Sequence, residues 1–172
     1  MAMHADQIQK DRAERDRFLK EHYASPLPEE ERDSFAGLDY FAADAEWVVS
    51  AEFSNEDHHD VPIPSSAGME NPYTKVGVAV VTVGGVAYRM TVLDDGDGDS
   101  FIPFRDATNG AETYDGGRYV GLTRGSGSAV SLDFNGARNP YCVYDEEFIC
   151  PLPPSENWIA SRIPAGEKMY RP

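Results

Sequence analysis

Arg105-Asp106, Glu112-Thr113-Tyr114 and Gly116-Gly117-Arg118-Tyr119 bring guanidinium, carboxylate and phenol groups close together in the middle of the chain. A loop between two paired strands returns its ends to one place. Arg105 and Arg118 are therefore expected to face a common site, with the hydroxyls of Thr113 and Tyr114 beside them. Such a pair would neutralise a carboxylate or another anionic group. The alternative is a structural network in which Arg105 pairs with Asp106 or Asp133. Further along, Asp133-Phe134-Asn135, Asn139-Pro140-Tyr141-Cys142-Val143-Tyr144 and Glu156-Asn157 add amides, carboxylates and aromatic walls. The ligand-binding set read from the residues is Arg105, Thr113, Tyr114, Arg118, Tyr119, Asp133, Asn135, Asn139, Cys142, Tyr144, Glu156 and Asn157. If the site were catalytic, Asp106 or Asp133 would be the general base and the arginines would stabilise developing negative charge. In a third reading the same polar groups hold an irregular C-terminal segment to a sheet and satisfy its buried backbone.

Cys142 and Cys150 stand eight residues apart, and all four His precede residue 60. The close Cys pairs of zinc sites are absent, so no metal is assigned. Two buried, unreactive thiols are the ordinary expectation, and a reversible Cys142–Cys150 disulfide stays open because a loop of this length can close one. Asp95, Asp97 and Asp99 have the one-three-five spacing of a calcium loop, with Asp106 at its twelfth place. Ser100, however, takes the glycine position and strands flank the loop, so an acidic hairpin tip is the favoured reading. Asp57-His58-His59-Asp60 reads as a solvated loop. There is no GxSxG elbow, phosphate-binding glycine loop or HExxH helix, and no cofactor is assigned.

The elements that must position these residues change period along the chain. Ile8, Arg12, Arg15, Phe18, Leu19 and Tyr23 recur at helical steps between Ala5 and Tyr23, with Asp6 available as an N-cap. That narrow stripe predicts a surface helix. Ser25-Pro26-Leu27-Pro28 stops it, Glu29 to Arg32 forms a short second turn, and Gly37 ends the segment. Strands are expected over Trp47–Phe53, Tyr73–Val83, Val86–Leu93, Ser100–Phe104, Arg118–Thr123 and Ala129–Phe134, with a last one near Ile159–Ile163. Asn55–Asp60 is read as a loop, and Gly84-Gly85 as a hairpin turn. The fold class is α+β, mainly antiparallel β: a curved sheet or barrel with an N-terminal helix and an irregular C-terminal wrap from Cys142 to Asn157 across its mouth. Two regions are expected, an N-terminal helical segment over 1–36 and a single β-rich domain over 37–172.

Leu38-Asp39-Tyr40-Phe41, the stretches Phe101–Tyr119 and Asp133–Cys142, Cys150-Pro151-Leu152-Pro153-Pro154-Ser155-Glu156-Asn157 and Ala165-Gly166-Glu167-Lys168 recur in fixed order. On these motifs the chain closely resembles the domain-of-unknown-function family numbered 1684. The resemblance implies a soluble bacterial or archaeal protein with no assigned activity. The chain departs from that pattern at Arg138, where the family has an aromatic.

Composition narrows the partners. With 30 Asp+Glu against 15 Lys+Arg the net charge is -15, which repels nucleic-acid phosphates and anionic membranes. Only Lys10, Lys20, Lys75 and Lys168 are lysines, a bias that suits a salty, halophilic cytoplasm. No apolar run approaches about 18 residues and the N-terminus is charged, so a cytoplasmic location is expected. The expected partners are a small-molecule ligand, with no nucleic acid and no membrane, for a monomer or homodimer.

Overall fold

In the computed structural model, which describes residues 2–94 and 96–171, the β-branched runs become strands β1 (Val48–Pro64), β2 (Glu70–Val83), β3 (Val86–Asp94), β4 (Ser100–Phe104), β5 (Arg118–Arg124) and β6 (Ala129–Asp133). Successive strands pair antiparallel. β6 then returns to β1 from Val48↔Asp133 to Glu52↔Ala129, and the sheet closes into a barrel. The β2–β3 turn needs two positive φ angles, which Gly84 (58°) and Gly85 (79°) supply. Alternation along the strands sends Val81, Met90, Ile102, Phe104 and Leu132 inward, where Phe134 meets Phe104 edge-on at 5.1 Å. Side chains fill the barrel interior, as in other small barrels, so any ligand must bind outside it.

Two stretches differ from the sequence-based expectation. Asn55–Asp60 is not a loop: β1 runs on to Pro64 as a ribbon paired with β2, with an irregularity between Asn55 and His59. Residues 55–60 are mostly exposed and polar, and besides the backbone ladder they are tied to β2 by Lys75–Glu56 (3.0 Å) and by Thr74 Oγ1 donating to Asp60 (2.9 Å). Pro62 and Pro64 are tolerated there because the ribbon has a free edge. The Ile159–Ile163 strand does not form: an isolated bridge joins Arg105 to Trp158 just before it, and the stretch itself is held by single bonds from Ile159 N to Arg105 O and from Ala107 N to Ser161 O. Asp95 of the acidic tip lies outside the described residues.

After β6 the chain wraps the barrel with short turns at Phe134–Gly136, Tyr141–Val143 and Ser155–Asn157. β3 and β4 pair only at Leu93↔Phe101 and Asp94↔Ser100 before they diverge. Asn157 fills the gap. Its Oδ1 accepts from Thr91 N at 2.7 Å, and its Nδ2 donates to the carbonyls of Thr91 (2.9 Å) and Pro103 (2.8 Å). Helix α1 (Ala2–Glu21) lies across one end of the barrel, with Leu19 fully buried against Leu27, Phe35 and Tyr144. Ser25 Oγ secures the turn after it, donating to Leu19 O and accepting from Leu27 N. Helix α2 (Glu29–Arg32) follows. Among the described residues, no helix is long and apolar enough to cross a membrane.

Candidate functional site

Arg105 and Arg118 do not share a site. Arg118 pairs with Phe104 across β4 and β5, so both side chains point inward. Arg105 comes one residue later and points the other way. Arg118 is fully buried and grips the wrap: Nη1 donates to Ala165 O and to Glu167 O (3.2 Å), and Nη2 to Ile163 O (3.0 Å) and Asp106 Oδ2 (3.4 Å). Asp106 accepts from Thr108 N and Oγ1 on one oxygen and from Ile163 N on the other. That occupied, buried carboxylate is a support and has no free oxygen to act as a base. Thr113 bonds Thr108 inside the same network. Arg105 is partly exposed, pairs with Asp115 at 2.9 Å and lies over the Trp158 ring at 5.0 Å.

Most other members of the predicted set also hold chain to chain. Asn135 clamps Asp44 through N–H···O bonds in both directions. Tyr119 OH donates to Pro151 O at 2.6 Å, and Glu156 accepts from Thr91 Oγ1 at 2.8 Å. Glu167 is buried and accepts from Asn139 N (2.7 Å), Tyr144 OH (3.2 Å) and Arg15 Nε (3.1 Å). Burial is the main reason the Tyr144 phenol titrates well above its ordinary value, with Glu167 adding to it.

Open space lies instead between α1 and the barrel end. Ile8, Arg12, Arg15 and Leu19 follow one another at steps of four, three and four and share a helix face. The stripe's two apolar ends are buried, and its middle positions are arginines lining a cleft of about 500 Å³. Tyr40, Asp133, Arg138, Tyr141 and Glu167 form the opposite wall. Arg12 lies over the Tyr40 ring at 4.5 Å, and burial lowers its pKa while Tyr40 and Asp133 pull it back up. Arg15 keeps its charge firmly: although burial opposes it, Glu167 raises its pKa beyond the ordinary arginine value. Arg12 Nε and Nη2 and Arg15 Nη2 are buried without a hydrogen-bond partner. Orphaned buried donors cost about 1–3 kcal/mol each, so a fold that keeps them needs another reason to do so. Asp133, the second predicted base, reaches this cleft with its side chain one-third exposed; Oδ2 lies 3.3 Å from His4 Nε2.

A second cleft of about 600 Å³ shares Arg138 and Tyr141 with the first. Its walls are Tyr73, Phe101, Tyr119, Phe148 and Pro151. Of the predicted residues, then, Asp133 and Asn135 line the arginine cleft, while Tyr119 and Asn139 line the aromatic one. Tyr114 and Cys142 line a third opening beside Ser66. Sequence reasoning missed Arg12 and Arg15, although their place on the apolar stripe of α1 was the signal. Among the described residues, no three His, Cys, Asp or Glu side chains are placed to hold a metal ion.

The comparisons agree with this architecture. No curated protein matches the chain. The solution NMR structure of the uncharacterised protein from gene locus rrnAC0354 of Haloarcula marismortui is similar to it, with 37% identity, a TM-score of 0.73, and coverage of 95% of this chain and 92% of that one. The family described as "Protein of unknown function (DUF1684)" matches residues 33–168, a span that takes in every strand of the barrel and Glu167 but leaves out α1 with Arg12 and Arg15. With the barrel and nearly all of the wrap inside that match, the chain belongs to the DUF1684 family.

Proposed function

We propose that this protein binds a small anionic metabolite in the cleft between α1 and the barrel, in the setting of a salt-rich cytoplasm. Arg12, Arg15 and Arg138 meet the negative group, and the adjoining aromatic cleft receives the remainder of the ligand. The observation that carries this reading is the set of buried Arg12 and Arg15 N–H groups with no partner, all in one cleft wall. A carboxylate or phosphate would satisfy them with charge-assisted bonds, the strong class of hydrogen bond. Of the acidic residues lining the cleft, Asp11 and Glu14 are exposed and give up little by it, Asp133 accepts from Asn135, and Glu167 is already occupied by its own donors.

Titration calorimetry at constant chloride with inorganic phosphate, citrate and adenosine monophosphate tests the proposal. Saturable binding of at least one is expected, weakened about ten-fold or more, which is about 1.4 kcal/mol, in Arg12→Met. Arg105→Ala should bind like the wild type. Arg12→Met binding as tightly as the wild type, or no binding of any of the three, would overturn the reading. A catalytic version of the same site would draw on Asp133, the one predicted base that lines this cleft, and would require turnover of the bound anion that Asp133→Asn abolishes.

A further inference from the structure

Cys142 and Cys150 are in contact. Cys142 N donates to Cys150 Sγ at 3.4 Å, which brings the second thiol up against the first cysteine. Their surroundings differ. Cys142 is half-buried on the Tyr141–Val143 turn and lines an opening of about 500 Å³ with Ser66, Tyr114, Phe148 and Met169, whereas Cys150 is buried behind it. Ser66 and Tyr114 line the same opening as Cys142, and Cys150 N donates to Ser66 Oγ at 2.9 Å. One thiol thus stands on the wall of an opening with two hydroxyl side chains beside it, and a second is buried behind it. This is the arrangement of an attacking thiol and its resolving partner.

We propose that Cys142 and Cys150 form a hydroperoxide-reactive dithiol site, with Cys142 as the nucleophile, Cys150 as the resolving thiol, and Ser66 and Tyr114 positioning the attacking sulfur. In the first step the Cys142 thiolate attacks one oxygen of the hydroperoxide. The O–O bond breaks, sulfur is oxidised to sulfenic acid, and the departing hydroxide or alkoxide takes up a proton to leave as water or alcohol. In the second step Cys150 sulfur attacks the sulfenic sulfur, and its proton leaves with the hydroxyl as water. The net change is two thiols and one hydroperoxide to one disulfide, one water and one further water or alcohol; a dithiol reductant restores the pair. Cys150 Sγ already lies 3.4 Å from the Cys142 backbone N, so a disulfide, with its length of about 2.05 Å, is within a short movement of the two side chains. Titration supports the division of roles. The Cys142 thiol is pushed down to about 6, first by the hydrogen bond from Cys150 and then by those from Ser66 and Tyr114, against the effect of burial. Cys150 is pushed up by donating that bond and by burial, and it stays protonated.

The test uses the full chain, reduced and freed of metal, with hydrogen peroxide as probe. Wild type should lose two mass units and give a single Cys142–Cys150 linked peptide. Cys150→Ser should instead accumulate a dimedone-trapped sulfenic acid on Cys142. A thiolate with so low a pKa is present at pH 6 about a hundred-fold more than in a free cysteine but is intrinsically about ten-fold less nucleophilic. The expected rate advantage over free cysteine at pH 6 is therefore about ten-fold, and Tyr114→Phe should remove part of it without changing the product. The proposal is overturned if Cys142 reacts no faster than free cysteine at pH 6, if Cys150→Ser traps no sulfenic acid, or if the wild type forms disulfides only between chains.

Discussion

Arg118 and Arg12 are two arginines withdrawn from water with opposite results. Both terminal nitrogens of Arg118 have acceptors, three carbonyls of the wrap and the carboxylate of Asp106, and only its Nε lacks one. Arg118→Met would strand that carboxylate and those carbonyls in the interior, and breaking a buried pair from one side costs about 3–5 kcal/mol. Urea unfolding should show a loss of that size; a loss within about 1 kcal/mol would mean that Arg118 does not hold the wrap. Arg12 by contrast keeps two orphaned donors, the mark of a residue retained for something other than stability. The sequence drew attention to the central polar cluster because Arg105, Asp106 and Arg118 are close along the chain. Which of them pointed inward depended on the register Phe104↔Arg118, and that was not visible in residue types.

At the scale of elements, the barrel was legible and the wrap was not. The β2–β3 hairpin announced itself through the β-branched residues of Val76–Val83 and the double glycine, and α1 through its three-and-four spacing. The middle of β1, residues 55–60, was hidden because that exposed stretch of ribbon has no buried face to write an alternating pattern. Ile159–Ile163 carries apolar residues suited to a strand, yet Ile159 and Ile163 are buried by irregular chain whose backbone groups go to Arg105 and Asp106. One glycine reports how closely strand and wrap approach. Gly117, at the entrance to β5, has φ 95°, and a Cβ there would stand 2.6 Å from both Phe104 O and Pro153 Cγ. Gly117→Ala combines a left-handed backbone with two collisions, so it should destabilise by about 2 kcal/mol or more. Thermal unfolding of the variant measures this directly, and an unchanged midpoint would mean that the wrap does not press on the barrel there.

Across the whole molecule, a chain of net charge -15 carries a cleft walled by Arg12, Arg15 and Arg138. The global field repels anions, so binding depends on short-range bonds inside the cleft. Salt weakens the repulsion more than it weakens those bonds, because exposed charges are screened and partly buried ones much less so. The charge count was plain in the sequence, but the gathering of three arginines was not, because it arises only where α1 docks against Arg138, more than a hundred positions away. The most direct measurement is thermal unfolding of wild type and Arg12→Met at fixed ionic strength, with phosphate exchanged for chloride. Saturating a site to a hundred times its Kd stabilises by about 2.7 kcal/mol, or about 5 °C or more for a domain of this size. The wild-type midpoint should rise by that amount in phosphate. Arg12→Met should show only the small general effect of the salt, and in chloride it should unfold no earlier than the wild type. Equal phosphate shifts in both proteins, or an Arg12→Met protein that unfolds earlier in chloride, would contradict an anion site built at the expense of stability.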